Sequence, residues 1–256
     1  MRISVIGAGR VAHHLAQVLS QHHEIVQVFS RDPAKANLLA AILRADSCHE
    51  YEKLDPNIDI ALIVVSDRAI EEVVIAVKDY LPDVLIAHTS GSTHISKITD
   101  HHSRAGVFYP LQTFSFESQI DWINTPLFIE ATQADDLENL TLIAKQLSQK
   151  VYQYDSSQRL SLHLAAVFAC NFSNYCYDVA KQLVDQQEVD FNLLHPLILE
   201  TAKKATTNDP RTVQTGPAVR EDFNILNMHE QMLIDLERDN LKQIYTLMTK
   251  GIQESK

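Results

Sequence analysis

The chain has 256 residues, 45% of them hydrophobic, and a formal net charge of −11. This length can bury a core large enough for one or two domains. No stretch approaches about 18 consecutive apolar residues, so no transmembrane helix is expected. The negative charge disfavours nucleic acid and anionic membranes as partners. The three cysteines, Cys48, Cys170 and Cys176, match neither a disulfide framework nor a metal-binding spacing. We therefore expect no metal site and, because no leader sequence is recognisable, a cytoplasmic location.

The chain opens with a strand pattern, a glycine-rich turn and a helix pattern. Residues 2–12 read RISVIGAGRVA, which gives G-x-G-x-x-A. The first glycine permits a sharp turn, the second lets backbone N–H groups approach a pyrophosphate, and the small third residue lets helix and strand pack closely. The pattern predicts a dinucleotide-binding loop, with a tight βα turn that has lost its ligand as the alternative. The predicted contacts are with Gly7, Ala8, Gly9, Arg10 and Val11.

The first half of the chain alternates short β-branched runs with helical patterns, as in a parallel sheet with crossover helices. The predicted strands are Ile3–Ile6, Ile25–Phe29, Ile60–Val65, Val84–Ala87, Val107–Tyr109, Leu127–Glu130 and Val151–Tyr154. From Ser156 onward helical patterns replace them, at Ser161–Gln186, Leu193–Ala205 and Ile225–Gln253. We predict an α/β fold with a doubly wound, mostly parallel sheet in residues 1–155, followed by an all-helical domain in residues 156–256. The cleft between the two domains is the expected working site.

The end of the second predicted strand decides which dinucleotide is favoured. An acidic residue there selects the ribose 2′-hydroxyl of NAD, whereas arginine can hold the 2′-phosphate of NADP. Ser30 and Arg31 occupy these positions, so NADP is preferred over NAD. Asp32 is the counterargument, but its place before Pro33 is typical of a helix cap.

Polar residues follow the next two strands, at the edge where open α/β sheets bind ligands. Val65, Ser66 and Asp67 are predicted to contact the cofactor, although Asp67 can equally cap the next helix. His88, Thr89 and Ser90 begin the segment HTSGS. We predict cofactor contacts for Thr89 and Ser90, and a proton-donor role for His88, because the pKa of histidine lies near working pH. A hydroxyl-rich turn that caps a helix near His94 is the alternative.

Other polar residues are candidates for substrate contacts. Tyr109 and Gln112 follow a further strand, and both can hydrogen-bond a small polar substrate, although Tyr109 can also simply pack the sheet edge. His163, Val167 and Asn171 are spaced four residues apart and so share a helix face.

Two amides and an arginine complete the set of candidates. Asn171 and Asn174 stand in an apolar run, where a buried amide needs partners, so they bond either to another helix or to a ligand. Arg220 can clamp a carboxylate or pair with Asp222.

These motifs together resemble the superfamily of NADP-linked reductases that includes pyrroline-5-carboxylate reductase and deazaflavin-dependent NADP reductase. The likeness is greatest to an uncharacterised group with a Rossmann-like N-terminal domain and a helical C-terminal domain of unknown function. The matching pieces are VIGAGRV from Val5, HTSGS from His88, YPLQTF from Tyr109, HLAAVFACNF from His163 and TGPAVRED from Thr215.

The resemblance implies that NADP binds at the Gly7–Val11 turn and that a homodimer forms through the helical domains. This sequence also departs from the pattern of related proteins at one position. Related hydroxyacid dehydrogenases carry a proton-donating lysine four residues before a helical asparagine, and with Asn171 as that asparagine the position holds Val167.

Two functions remain open at this stage. The first is a cytoplasmic NADP-dependent oxidoreductase acting on a small carbonyl or imine, with His88 or His163 supplying the proton and Asn171 orienting the substrate. The second is a non-catalytic NADP-binding sensor or scaffold, which the absent lysine favours.

Overall fold

The structure, a computed structural model, describes residues 1–255. The chain divides into two units, Met1–Ser173 and Asn174–Lys256. The boundary predicted near Asp155 stays a prediction, and helix Ser156–Ala166 belongs to the first unit.

The first unit is built on an eight-stranded sheet with the order β3-β2-β1-β4-β5-β6-β7-β8. All neighbouring strands are parallel except β6 and β7. The strand order reverses between β1 and β4, which opens a crevice at the carboxyl edge of the sheet. The predicted fold class, a mostly parallel Rossmann-type sheet with a helical C-terminal region, is confirmed. The strands are β1 (Arg2–Ile6), β2 (Glu24–Phe29), β3 (Asp46–Cys48), β4 (Ile60–Ile63), β5 (Leu85–His88), β6 (Ala105–Pro110), β7 (Leu127–Ala131) and β8 (Val151–Gln153).

Helices cover both faces of this sheet and bury it completely at its centre. Every residue of β4, β5 and β6 is buried, which explains why these strands have apolar rather than alternating sequences. Ile3 and Val5 of β1 belong to one buried cluster and Ile6 to another, because successive side chains point to opposite faces. The helices of this unit are α1 (Arg10–Leu19), α2 (Pro33–Leu43), α3 (Ile70–Val77), α4 (Ser96–Thr99), α5 (Ala134–Leu147) and α6 (Ser156–Ala166), followed by a π-helix at Val167–Phe172.

The last third of the chain is helical, with more interruptions than the sequence indicated. The single helix predicted over Ser161–Gln186 consists of α6, the π-helix and α7 (Ser173–Asp185). The helix predicted over Ile225–Gln253 is two helices, because the chain breaks after Leu236, where Glu237 has a φ of 54°. The remaining helices are α8 (His195–Thr207), α9 (Pro217–Arg220), α10 (Phe223–Asp235) and α11 (Asp239–Glu254).

Within residues 1–255, none of the helices combines the length and the apolar character that a membrane crossing requires.

Candidate functional site

The turn between β1 and α1 has the shape that its two glycines predicted. Gly7 has a φ of 132°, and a Cβ there would lie 2.0 Å from the carbonyl oxygen of Val64, so no other residue fits. Gly9 is the N-cap of α1, and a Cβ added to it would meet nothing within 4 Å. No side chain caps this helix and no acidic residue lies in its first turn. The free backbone N–H groups of α1 therefore face open space, an arrangement that favours an anion.

This open space belongs to a cavity of about 990 Å³ at the carboxyl edge of the sheet. All the positions predicted to contact the cofactor line it, from the glycine turn past the ends of β2, β4 and β5. Their contact with a cofactor stays a prediction. The lining residues that the sequence singled out are Gly7, Ala8, Gly9, Arg10, Val11, Ser30, Arg31, Val65, Ser66, Asp67, Thr89, Ser90 and Gln112.

The end of β2 carries cationic side chains towards this cavity. Asp32 acts as the cap of α2, since its Oδ1 accepts the backbone N–H groups of Ala34 at 3.1 Å and Lys35 at 3.4 Å. Arg31 is exposed, and its Nη1 lies 3.8 Å from a carboxylate oxygen of Glu72. Lys35 lines the cavity beside Arg31. Sequence reasoning missed Lys35, although its place in the first turn of the helix that follows the end of β2 could have revealed it.

The residues after β4 and β5 are linked by hydrogen bonds. The Ser92 hydroxyl donates to the carboxylate of Asp67. The N-cap of α3 is Ala69, so Asp67 does not cap that helix. Ser90 Oγ accepts the backbone N–H groups of Ser92 at 3.2 Å and Thr93 at 2.9 Å, which fixes the hydroxyl-rich turn. The turn therefore holds Ser90 at the cavity wall.

His88 lies beneath this turn and does not line the cavity. It is the last residue of β5, it is fully buried, and its Nδ1 accepts the backbone N–H of Ser90 at 3.2 Å. Burial and, to a smaller extent, the nearby Arg159 cation lower the pKa of His88 to about 3. A neutral, enclosed imidazole reaches no molecule in the cavity, so the geometry does not support the proton-donor role predicted for His88.

The low pKa of His88 makes the fold sensitive to acid. Because the unfolded chain protonates this histidine near 6.5 and the folded chain only near 3, the unfolded state binds one more proton between these values. The free energy of unfolding should fall by about 1.4 kcal/mol per pH unit from this group as the pH drops below 6.5. We expect urea titrations at pH 6 and pH 4 to show this change in the free energy of unfolding. His88→Asn should lack the contribution, and its Oδ1 can replace Nδ1 as the hydrogen-bond acceptor. An equal slope in both proteins would contradict the prediction.

Tyr109 and His163 are brought together by the fold, and neither of them lines the cavity. Tyr109 is buried at the end of β6, and its hydroxyl lies 3.4 Å from Nδ1 of His163, a half-buried residue of α6. Burial and, to a smaller extent, the carboxylate of Asp67 raise the pKa of Tyr109 to about 12. The tyrosine therefore keeps its proton at neutral pH.

The loop after β6 supplies cavity residues that sequence reasoning missed. Phe114 and Phe116 line the cavity together with Gln112. The ring of His13 contacts Phe116, with 5.6 Å between ring centres, and Nε2 of His14 lies 2.6 Å from the carbonyl oxygen of Ser115. Two histidines of α1 thus hold this loop beside the glycine turn.

The helical candidates are more exposed than expected. Asn171 and Asn174 were predicted to be buried amides, and both are exposed. Val167 begins the π-helix, which winds with more residues per turn than an α-helix and changes the face on which Asn171 lies. Arg220 is exposed at the end of α9, and Asp222 caps α10 instead, accepting the N–H of Ile225 at 3.4 Å.

Within residues 1–255, no group of three or more histidine, cysteine, aspartate or glutamate side chains is placed to hold a metal ion.

Two family models match this chain. One is described as "Oxidoreductase family, NAD-binding Rossmann fold" and matches residues 1–105. The other is described as "Domain of unknown function (DUF2520)" and matches residues 125–252. No curated protein has a matching sequence.

Solved structures are similar over nearly the whole chain. A Bacteroides fragilis protein described as a "putative NADP oxidoreductase" is 38% identical, with a TM-score of 0.92 over 99% of this chain and 98% of that one. An imine reductase from Myxococcus stipitatus, in complex with NADP+, is 16% identical, with a TM-score of 0.70 over 100% of this chain and 94% of that one. A pyrroline-5-carboxylate reductase from Coxiella burnetii is 16% identical, with a TM-score of 0.60 over 98% and 96% of the two chains.

The last two likenesses concern the fold alone. The matches to both family models and the 38% identity over almost the full length carry more weight. They agree with the uncapped helix and the open cavity beside the glycine turn. The chain belongs to the family of oxidoreductases that join a Rossmann NAD(P)-binding domain to a C-terminal DUF2520 helical domain.

Proposed function

We propose that the chain is an NADP-dependent oxidoreductase that moves a hydride between the nicotinamide and a small carbonyl or imine. The observation that carries this proposal is the uncapped, acid-free N-terminus of α1, which opens into the cavity of about 990 Å³. Bound NADP supplies the hydride chemistry. The similarity to the Bacteroides fragilis protein, which is described as an NADP oxidoreductase, supports this choice of cofactor.

Different parts of the cavity would hold different parts of the cofactor. The free N–H groups of α1 would bind the diphosphate, because no side chain competes for them. Arg31 and Lys35, at the end of β2, would bind the 2′-phosphate. Ser66, Thr89 and Ser90 would face the nicotinamide, since they lie at the ends of β4 and β5, on the other side of the glycine turn.

The preference for NADP over NAD can be tested on Arg31 and Lys35. Each change to alanine should raise the Kd for NADPH at least tenfold, about 1.4 kcal/mol, because each removes a cation next to the phosphate. The Kd for NADH should change less than threefold. Titration calorimetry measures both, and Lys145→Ala, an exposed lysine of α5, is the control. If the unaltered protein bound NAD tenfold more tightly than NADP, the assignment would be wrong.

Turnover distinguishes an enzyme from a binding protein. We expect the purified protein to oxidise NADPH with at least one member of a panel of small keto acids and cyclic imines. His163 is not among the residues that line the cavity, and we propose that its side chain meets the substrate oxygen or nitrogen beside it, so His163→Ala should abolish turnover while NADPH still binds. Loss of NADPH binding in that variant would contradict this assignment.

A second candidate function is a sensor or scaffold that binds NADP without turnover. The observation that favours it is Val167, which cannot transfer a proton at the position where related dehydrogenases carry lysine. Tight NADPH binding with no oxidation of any panel member would support this alternative.

We also propose a homodimer that forms through the helices. One stripe of apolar side chains on α6 and the π-helix is exposed in the single chain: Leu160 is 51% exposed, Leu164 58%, Phe168 62% and Phe172 46%. Exposed apolar patches of this kind mark protein interfaces. Sedimentation equilibrium should give twice the chain mass, and Phe168→Glu should shift the mass towards that of the monomer.

We propose the cytoplasm as the location of the protein. The free thiols of Cys48, Cys170 and Cys176 agree with a reducing environment of this kind.

A further inference from the structure

We infer that Tyr109 is a positioning residue for His163: its hydroxyl donates to Nδ1, which keeps the imidazole in the tautomer that presents Nε2–H to the substrate. This inference rests on the proposed function for the role of Nε2–H. The hydrogen bond itself is a property of the folded chain and can be tested without turnover.

Three separate segments meet at this pair. Tyr109 comes from β6 and His163 from α6, and their rings lie edge to face with centres 6.4 Å apart. Gly91, from the turn after β5, lies directly against the phenol. A Cβ at Gly91 would lie 2.5 Å from Cζ of Tyr109 and 2.8 Å from its hydroxyl oxygen. Glycine is therefore required at this position to let the phenol reach His163.

The direction of the hydrogen bond follows from the surroundings of Tyr109. The side chain is buried, and the charged groups that act on it are Asp67, which opposes loss of the proton, and Arg159, which favours it. Burial is the largest effect, and together these effects raise the pKa of Tyr109 to about 12. The phenol thus keeps its O–H at neutral pH, and because a buried O–H needs an acceptor and Nδ1 of His163 lies 3.4 Å away, we assign Nδ1 as the acceptor. A neutral imidazole that accepts at Nδ1 carries its hydrogen on Nε2.

Packing alone does not account for a tyrosine at this position. The ring of Tyr109 contacts Phe128, with centres 6.1 Å apart, and a phenylalanine would fill the same space. The hydroxyl is what must find a partner once it is buried. Within residues 1–255, the structure gives that hydroxyl one hydrogen-bond partner, Nδ1 of His163. Nε2 of His163 has no hydrogen-bond partner within residues 1–255, so it remains available to a ligand.

The contact between Tyr109 and His163 therefore depends on residues from three sequence motifs. HTSGS contributes Gly91, YPLQTF contributes Tyr109, and HLAAVFACNF contributes His163. An N–H donor with a fixed direction suits a substrate whose carbonyl oxygen or imine nitrogen gains negative charge as the hydride arrives. The orienting group costs no reorganisation during the reaction, because the fold holds it in advance.

The tautomer of His163 can be measured by NMR on protein labelled with ¹⁵N-histidine. The His163→Gln spectrum identifies the signals of His163. We expect separate Nδ1 and Nε2 shifts typical of the Nε2–H tautomer in the unaltered protein, and shifts that approach each other in Tyr109→Phe. Tyr152→Phe is the matched control, because Tyr152 also stacks on Phe128 but is 42% exposed. Unchanged His163 shifts in Tyr109→Phe would overturn the inference.

Kinetics provide the second readout. Tyr109→Phe should lower kcat at least tenfold and leave the Kd for NADPH within twofold, because Tyr109 acts on turnover only through His163. Equal kcat values for Tyr109→Phe and the unaltered protein would also overturn the inference. If no substrate turns over, the proposed enzyme function fails, whereas the NMR result still decides whether Tyr109 sets the tautomer.

Discussion

Gly9→Ala should weaken NADPH binding at least tenfold and leave the fold intact, whereas Gly7→Ala should destabilise the fold itself. Gly9 has a φ of −87°, which alanine adopts freely, and its added Cβ would enter only the open space in front of α1. That space is where the diphosphate must approach the backbone N–H groups. The loss of affinity therefore comes from blocked access.

The same methyl group has a different effect two residues earlier. Gly7 has a φ of 132°, and its Cβ would overlap the carbonyl oxygen of Val64 at 2.0 Å. Backbone strain alone costs about 1–3 kcal/mol, and the overlap adds to it. We expect the free energy of unfolding of Gly7→Ala to fall by more than about 3 kcal/mol.

Urea unfolding and NADPH titration on both variants separate the two effects. Gly251→Ala provides a control, since its Cβ also meets nothing within 4 Å and it lies in α11. An unfolding free energy for Gly7→Ala equal to that of the unaltered protein would contradict the argument. So would normal NADPH affinity in Gly9→Ala, because the open space would then not be the diphosphate site.

Arg159→Met should be among the most destabilising changes in the first unit. The Arg159 side chain is fully buried, pairs with Glu130 of β7 and donates to the carbonyl oxygen of Thr93 at 2.8 Å. Glu130 also accepts the hydroxyl of Ser156 at 2.9 Å. Removing the arginine leaves a carboxylate that is only 17% exposed without its cation. Breaking a buried pair in this way costs about 3–5 kcal/mol.

The double variant Arg159→Met/Glu130→Gln tests the cause of this loss. Because it removes both charges, it should recover more than half of the lost unfolding free energy. Lys97→Met, which breaks the exposed pair with Glu71, should leave the unfolding free energy unchanged. A double variant no more stable than Arg159→Met would show that the buried carboxylate is not the source of the loss.

Local sequence patterns were sufficient for most of the sheet and for the cavity at its carboxyl edge. The first strand, the glycine turn and α1 follow one another without a gap, so their contacts are set by neighbouring residues. The carboxyl ends of parallel strands always meet at one edge. For that reason the residues after β2, β4 and β5 could be predicted to line one cavity before any coordinate was known.

Other parts of the site could not be predicted in this way. The short strand Asp46–Cys48 was missed, because it has no β-branched run and forms only by pairing with β2. Phe114 and Phe116 were missed because a long loop gives no periodic signal, and only contacts with α1 show where it lies. The burial predicted for Asn171 and Asn174 was wrong, since an apolar run does not reveal which of its faces the rest of the chain covers.

The sequence by itself determined seven of the eight strands, the glycine turn and the NAD(P)-binding class, because each depends on residues close together in the chain. Only the tertiary structure decided what becomes of the two candidate histidines. His88 and His163 have the same titratable group, yet one is enclosed under a turn with its pKa lowered to about 3 and the other lies beside the hydroxyl of Tyr109. The two histidines differ because His88 is buried and His163 has a hydrogen-bond partner 54 residues away along the chain. Neither property can be deduced from the residues next to a histidine.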